Sequence, residues 1–191
     1  MAFRVMLTTL HLSIAEYDQM VRRGAFDDLG RKIELIRGEL AEMKPAGPLH
    51  NDLVIYLVNW SAANCDHEKT LVTSQTDLEL REQASRPEPD VMWLRKARYR
   101  VAHPQAADVQ LAIEVSDSSL IRDLEIKRRL YAEAEIIEYW IVDAPANCVH
   151  IHRQPSGGDY QSRQVFKNPD FISPLFAPSA QLNLADLFLS P

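Results

Sequence analysis

Leu111-Ala112-Ile113-Glu114-Val115-Ser116, the helical spacing from about Leu120 to Ala134, and Glu138-Tyr139-Trp140-Ile141-Val142 decide how this chain folds. The first run is apolar apart from Glu114, the pattern of a central strand covered on both faces. Helix and second strand follow directly, so the stretch predicts a crossover helix between central strands. Upstream, Val91-Met92-Trp93-Leu94 is a further strand, entered from the polar, Pro-containing segment Gln83–Pro89. Short strands are expected at Thr70–Ser74 and Thr76–Leu80. Before them, Leu49, Leu53, Leu57 and Trp60 fall on one helical face, with Val54 and Val58 beside it. Ile33–Ile36 and Glu39–Met43 flank Arg37-Gly38 as a β-hairpin. Ser13-Ile14-Ala15-Glu16 is a capping box that starts a helix ending at Gly24. Downstream, strands are expected at Asn147–His152 and Tyr160–Phe166, then a short closing helix or turn over Leu182–Leu189. With no repeat, low-complexity segment or linker, residues 1–191 are read as one α/β (α+β) domain, a mixed sheet flanked by helices with an N-terminal helix and hairpin.

Composition narrows the function. The 191 residues are 46% hydrophobic and 25% charged, enough to bury a real core and too ordered for a disordered or fibrous protein. The longest apolar runs are strand-sized, so no membrane span is expected. Met1–Leu12 lacks the features of a signal peptide. Two cysteines, Cys65 and Cys148, are too few for a disulfide framework, and a cytoplasmic location is the simplest reading. The formal net charge of −6 excludes a protein that grips nucleic acid over its whole surface. Contact would need a local patch, and two basic clusters offer one: Arg95, Lys96, Arg98 and Arg100, then Arg122, Lys127, Arg128 and Arg129. Either can equally be a solvated face.

Asp90 and Glu114 are the leading candidates for chemistry. Asp90 stands at the mouth of the strand Val91–Leu94. Glu114 shares a strand face with Ala112 and Ser116, while Leu111, Ile113 and Val115 point the other way. A carboxylate in so apolar a strand must be paired, hydrogen-bonded or metal-bound. If the two strands are neighbours, both carboxylates can meet one hard cation; a strand-end glutamate reaching solvent or a salt bridge is the plainer alternative. Lys127 interrupts the stripe Leu120, Leu124, Lys127, Tyr131 and Ala134. It either pairs with Asp123 four residues before it or brings its ammonium to the carboxylates. Asp77 and Glu79 share one strand face, more simply an exposed one. His150 and His152 share a strand face, with no cysteine or acidic partner at a recognisable ligand spacing. Cys148 reads as a small core residue. Ser116, Ser118 and Ser119 lack the Gly-x-Ser-x-Gly elbow and are expected to cap the next helix. No Gly-rich phosphate loop is present.

Taken in order, Glu88-Pro89-Asp90, Ile113-Glu114-Val115-Ser116, Arg122-Asp123 with Lys127 and Tyr131-Ala132, and Glu138-Tyr139-Trp140-Ile141-Val142-Asp143 resemble the Uma-type "putative restriction endonuclease" family. That is a bacterial group within the PD-(D/E)XK nuclease superfamily. Glu34–Leu40, Met43 and His50 agree in order and spacing, as does Leu182–Phe188, so the resemblance spans about Ser13 to Phe188. It implies a restriction-endonuclease-like mixed sheet, with Asp90 and Glu114 as the motif acids and as ligands of Mg²⁺ or Mn²⁺. Ser116 stands where the superfamily has lysine, which makes Lys127 the candidate replacement from the following helix. Leu120-Ile121 and Glu135-Ile136-Ile137 also depart from the family pattern. The resemblance further suggests Glu39 as a metal ligand and His50 and Asp123 as supporting residues. The activity it implies is endonucleolytic hydrolysis of DNA, and cutting both strands of a duplex suits a homodimer. Two alternatives remain: a catalytically silent module that keeps the nuclease fold, and a nuclease directed at RNA.

Overall fold

The computed structural model describes residues 9–189, so residues 1–8 of the Met1–Leu12 reading lie outside the described residues. Helix α1 (Ile14–Arg22) begins at the expected capping box: Ser13 Oγ accepts from the Glu16 amide, and the Glu16 carboxylate accepts from the Ser13 amide. The Tyr17 hydroxyl donates to the Ile33 carbonyl and ties α1 to the hairpin of β1 (Lys32–Ile36) and β2 (Glu39–Met43). Arg37 and Gly38 turn the hairpin with φ of 53° and 79°, the positive values that a two-residue turn of this hand needs. A side chain on Gly38 would also meet His11 Cβ at 3.0 Å.

Helix α2 (Pro48–Asn64) starts on Pro48, whose missing N–H costs nothing in the first turn. It buries Leu53, Val54 and Leu57, while Leu49, expected on that face, is exposed. The main sheet has the order β3 (Thr70–Ser74), β4 (Val91–Arg95), β5 (Val109–Ser116), β6 (Glu138–Asp143), β7 (Cys148–Ser156) and β8 (Asp159–Lys167). Every neighbouring pair is antiparallel except β5–β6, which is parallel as the crossover reading requires. The crossover consists of α3 (Leu120–Arg122), a π-helical turn (Asp123–Lys127) and α4 (Arg128–Glu133). A small pair, β9 (Phe171–Ile172) and β10 (Leu182–Asn183), leads into α5 (Leu184–Leu187).

Both sheet faces are covered. On one, α2 and α5 pack over Trp93, Leu111, Ile113, Val115 and Trp140. On the other, α4 packs over Met92, Ala112, Tyr139 and Ile141. Burial on both sides accounts for the continuous apolar runs of β4, β5 and β6. Two expectations are corrected. Thr76–Leu80 is not a strand: Leu78 N–H bonds to Pro87 O, Glu79 N–H to Pro104 O and Leu80 N–H to Ser85 O. Its donors go to separate segments; Pro87 and Pro104 cannot return a bond, and the Ser85 amide returns one to Leu80 O only, so isolated bridges form in place of a ladder. The helix from Leu120 is also not uniform, since the Arg128 amide reaches back five residues to Asp123 O. Among the described residues no helix is long and apolar enough to cross a membrane.

Candidate functional site

The register of β4 against β5 brings the two acids together. Val91 pairs with Ile113, so Asp90, one residue before, and Glu114, one residue after, stand side by side across the antiparallel ladder. Both lie on the face that carries Met92 and Ala112, toward α4. Asp90 Oδ2 accepts from the Val115 amide at 2.8 Å and lies 3.2 Å from His50 Nε2. Glu114 Oε1 accepts from Lys127 Nζ at 2.8 Å and from the Tyr131 hydroxyl at 2.8 Å. Asp90 Oδ1 and Glu114 Oε2 accept no hydrogen bond among the described residues.

Lys127 reaches this point from the crossover, and its second carboxylate is one the sequence reading passed over. Its Nζ lies 3.4 Å from Glu34 Oε2. Glu34 is 1% exposed, accepts from the Glu88 amide through Oε1 and leaves Oε2 buried without a hydrogen bond. The signal was available: Glu34 interrupts Ile33-Leu35-Ile36 as Glu114 interrupts its own strand. Glu39, expected as a ligand, is instead exposed on β2 and does not line the cleft. The hairpin therefore contributes the acid of its first strand. Asp123 does not pair with Lys127. Its Oδ2 accepts from Ser116 Oγ at 2.6 Å and Ser119 Oγ at 2.5 Å, fixing the start of the π turn. Ser116 thus braces the crossover segment that carries Lys127. The three serines do not act as a helix cap, since no side chain caps α3.

Four carboxylates around one ammonium set the electrostatics. Burial pushes the Glu114 carboxyl up, and Asp90, Asp123 and Glu34 add to this against the pull of Lys127, so that it reaches about 8. Burial pulls Lys127 down, but Glu114, Glu34 and Asp123 outweigh it and hold the ammonium charged well above its ordinary range. Its hydrogen bond to Asp90 raises the His50 imidazole, against the effect of burial. Glu34, His50, Asp90 and Glu114 line a cleft of about 230 Å³, whose wall also carries Lys44, Asp117 and Arg122.

The basic clusters divide. Arg95, Lys96, Arg98 and Arg100 are exposed at and beyond the end of β4 opposite Asp90. In the second cluster Arg122 lines the cleft, Lys127 is buried behind its carboxylates without lining it, Arg128 pairs with Asp159 and Arg129 pairs at the surface with Glu125. His152 is buried between the rings of Tyr139 and Tyr160 with neither ring nitrogen hydrogen-bonded. Burial lowers it to about 3, so it is a neutral core residue. His150 has the partners the sequence reading did not see: Asp143, Cys148 and His150 bring one ligand atom each within 4.8 Å of one another.

No curated protein matches the chain. Among solved structures it is similar to a putative nuclease belonging to DUF820 from Anabaena variabilis. The two share 16% sequence identity over 82% of this chain and 89% of that one, with a TM-score of 0.64. At that identity the likeness speaks for the fold alone. The profile of the Uma2 family, described as "Putative restriction endonuclease", matches residues 14–185. With nine-tenths of its length matched by that family's model, the chain belongs to the Uma2 family.

Proposed function

We propose that this protein is a divalent-metal-dependent endonuclease that hydrolyses phosphodiester bonds of DNA in the cleft between the hairpin and the β4–β5 strand ends. The observation that carries the reading is the meeting of Asp90, Glu114, Glu34 and Lys127 from four separate elements at one sheet end. The hard carboxylate oxygens of Asp90, Glu114 and Glu34, the last with Oε2 buried and without a hydrogen-bond partner, suit Mg²⁺ or Mn²⁺. Asp90 and Glu114 would hold such an ion, with Glu34 rather than Glu39 as the further carboxylate. Bound there, the ion supplies an activated water and neutralises charge on the leaving oxygen. Lys127 holds a positive charge beside Glu114 and would stabilise the negative charge that grows on the phosphoryl oxygens. Asp90 is oriented by the Val115 amide and His50, and Arg122 and Lys44 on the cleft wall supply local attraction for the phosphate backbone. Two free cysteines fit the cytoplasm, and a homodimer would let two clefts address both strands.

The test is cleavage of DNA and RNA substrates with Mg²⁺ or Mn²⁺. Activity on DNA that disappears in both chelator and Glu114→Gln is expected. A folded protein that binds the metal and cuts no nucleic acid would instead identify a silent module, and cleavage of RNA alone would reassign the substrate.

A further inference from the structure

A second cluster of ligands sits on the neighbouring strand pair. Asp143, the last residue of β6, is the direct antiparallel partner of Cys148, the first of β7. His150, two residues on, points to the same face. Cys148 Sγ lies 3.7 Å from His150 Nε2, and His150 Nε2 lies 3.6 Å from Asp143 Oδ2. The nitrogen–oxygen separation is too long for a hydrogen bond. Asp143 Oδ1 is engaged by the Ala146 amide at 3.2 Å, which turns Oδ2 toward the histidine. At ordinary Zn–S, Zn–N and Zn–O bond lengths, a tetrahedral ion holds sulfur and nitrogen about 3.5 Å apart and nitrogen and oxygen about 3.4 Å apart. The observed spacings are within a few tenths of an ångström of both.

We propose that Asp143, Cys148 and His150 form a Zn²⁺ site with a fourth position left to water. The ligand set argues for zinc over the Mg²⁺ or Mn²⁺ of the nuclease cleft. A thiolate and an imidazole favour a borderline-soft ion, whereas Asp90, Glu114 and Glu34 offer only hard oxygens. Cys148 and Asp143 are buried, and His150 is 19% exposed at its side chain. The site would clamp the β6–β7 turn. It would do so one strand from the cleft, because Asp143 pairs with Ser116, whose hydroxyl holds Asp123. The inference does not rest on the nuclease reading.

The experiment titrates the full-length, metal-free protein with Co²⁺ as an optical substitute for Zn²⁺, followed by displacement with Zn²⁺. One equivalent should give a thiolate-to-metal absorption band that Zn²⁺ abolishes. The band should survive in Glu114→Gln, which separates it from the cleft. It should also survive in Cys65→Ser, which excludes the other thiol, 3.6 Å from His67 Nδ1. Cys148→Ser should lose the band. His150→Ala, at a partly exposed position and so a second variant if the first fails to fold, should weaken binding by more than the roughly 10–100-fold that loss of an outer-shell partner costs. A folded wild-type protein without the band, a band that persists in Cys148→Ser, or unchanged affinity in His150→Ala would each overturn the proposal. A thiol–imidazole contact would then be all that the cluster is.

Discussion

Lys127 carries its charge into a space shared by Glu34 and Glu114, and above about pH 8, where Glu114 is ionised, replacing it leaves two carboxylates buried without their cation. Breaking a buried pair from one side costs about 3–5 kcal/mol. Lys127→Met should therefore lower unfolding free energy in urea by that amount, and Glu34→Gln in the same chain should restore part of it. Glu114 and His152 give pH dependences of opposite sign. The Glu114 carboxyl rises from its ordinary 4.5 to about 8, so the folded chain holds a proton that the unfolded chain has released. Its contribution to stability is complete below 4.5 and is lost as pH rises through about 8. In metal-free protein, Glu114→Gln should remove that decline. His152 falls from 6.5 to about 3, so its contribution is complete above 6.5 and is lost as pH falls toward 3. His152→Phe, between two tyrosine rings, should reduce the loss in acid; an unchanged acid limb would refute the assignment. The same burial argument that singled out Glu114 in the sequence applies to Glu34. Glu34 was legible but was read only as part of a hairpin, because its packing partner lies 93 positions away.

The crossover helix shows what periodicity misses. A stripe drawn at 3.6 residues per turn gave Leu120, Leu124, Lys127, Tyr131 and Ala134, and in the fold Asp123 is buried while Leu124 is only half-covered. The π turn widens the helix by one residue and rotates the part before it, so an acid takes the inward place. Nothing in a fixed spacing anticipates that change. Ser116 and Ser119 stabilise it through the Asp123 carboxylate, and Ser116→Ala should cost about 1–3 kcal/mol by leaving that buried group short of a donor. Denaturation of the single variant measures this; a value near zero would mean that Ser119 alone suffices. By contrast the hairpin, α1 and the existence of a crossover were legible, because their signals are local: a turn, a capping box and runs of apolar residues. Thr76–Leu80 alternated equally well and failed, since a strand also needs a neighbour able to return its hydrogen bonds.

Across the molecule, charge is arranged against casual contact with polyanions. The chain carries −6, the exposed basic run around Arg95–Arg100 lies beyond the far end of β4, and the cleft joins Glu34, Glu88, Asp90, Glu114 and Asp117 to a few cations. Attraction for DNA should therefore depend on the divalent ion. By fluorescence anisotropy, affinity for a duplex should be weak in chelator and rise with Ca²⁺ in the wild type. Equal binding in chelator would place the contact elsewhere, with the Arg95–Arg100 run the first surface to examine. The long reach between Glu34 and Lys127 has a consequence in time. At roughly 5–20 residues per second, a ribosome needs about 5–20 s to go from the first of these residues to the second. Throughout that interval the hairpin exists without the cation that completes it. The first β-structure to be made is thus among the last to be closed.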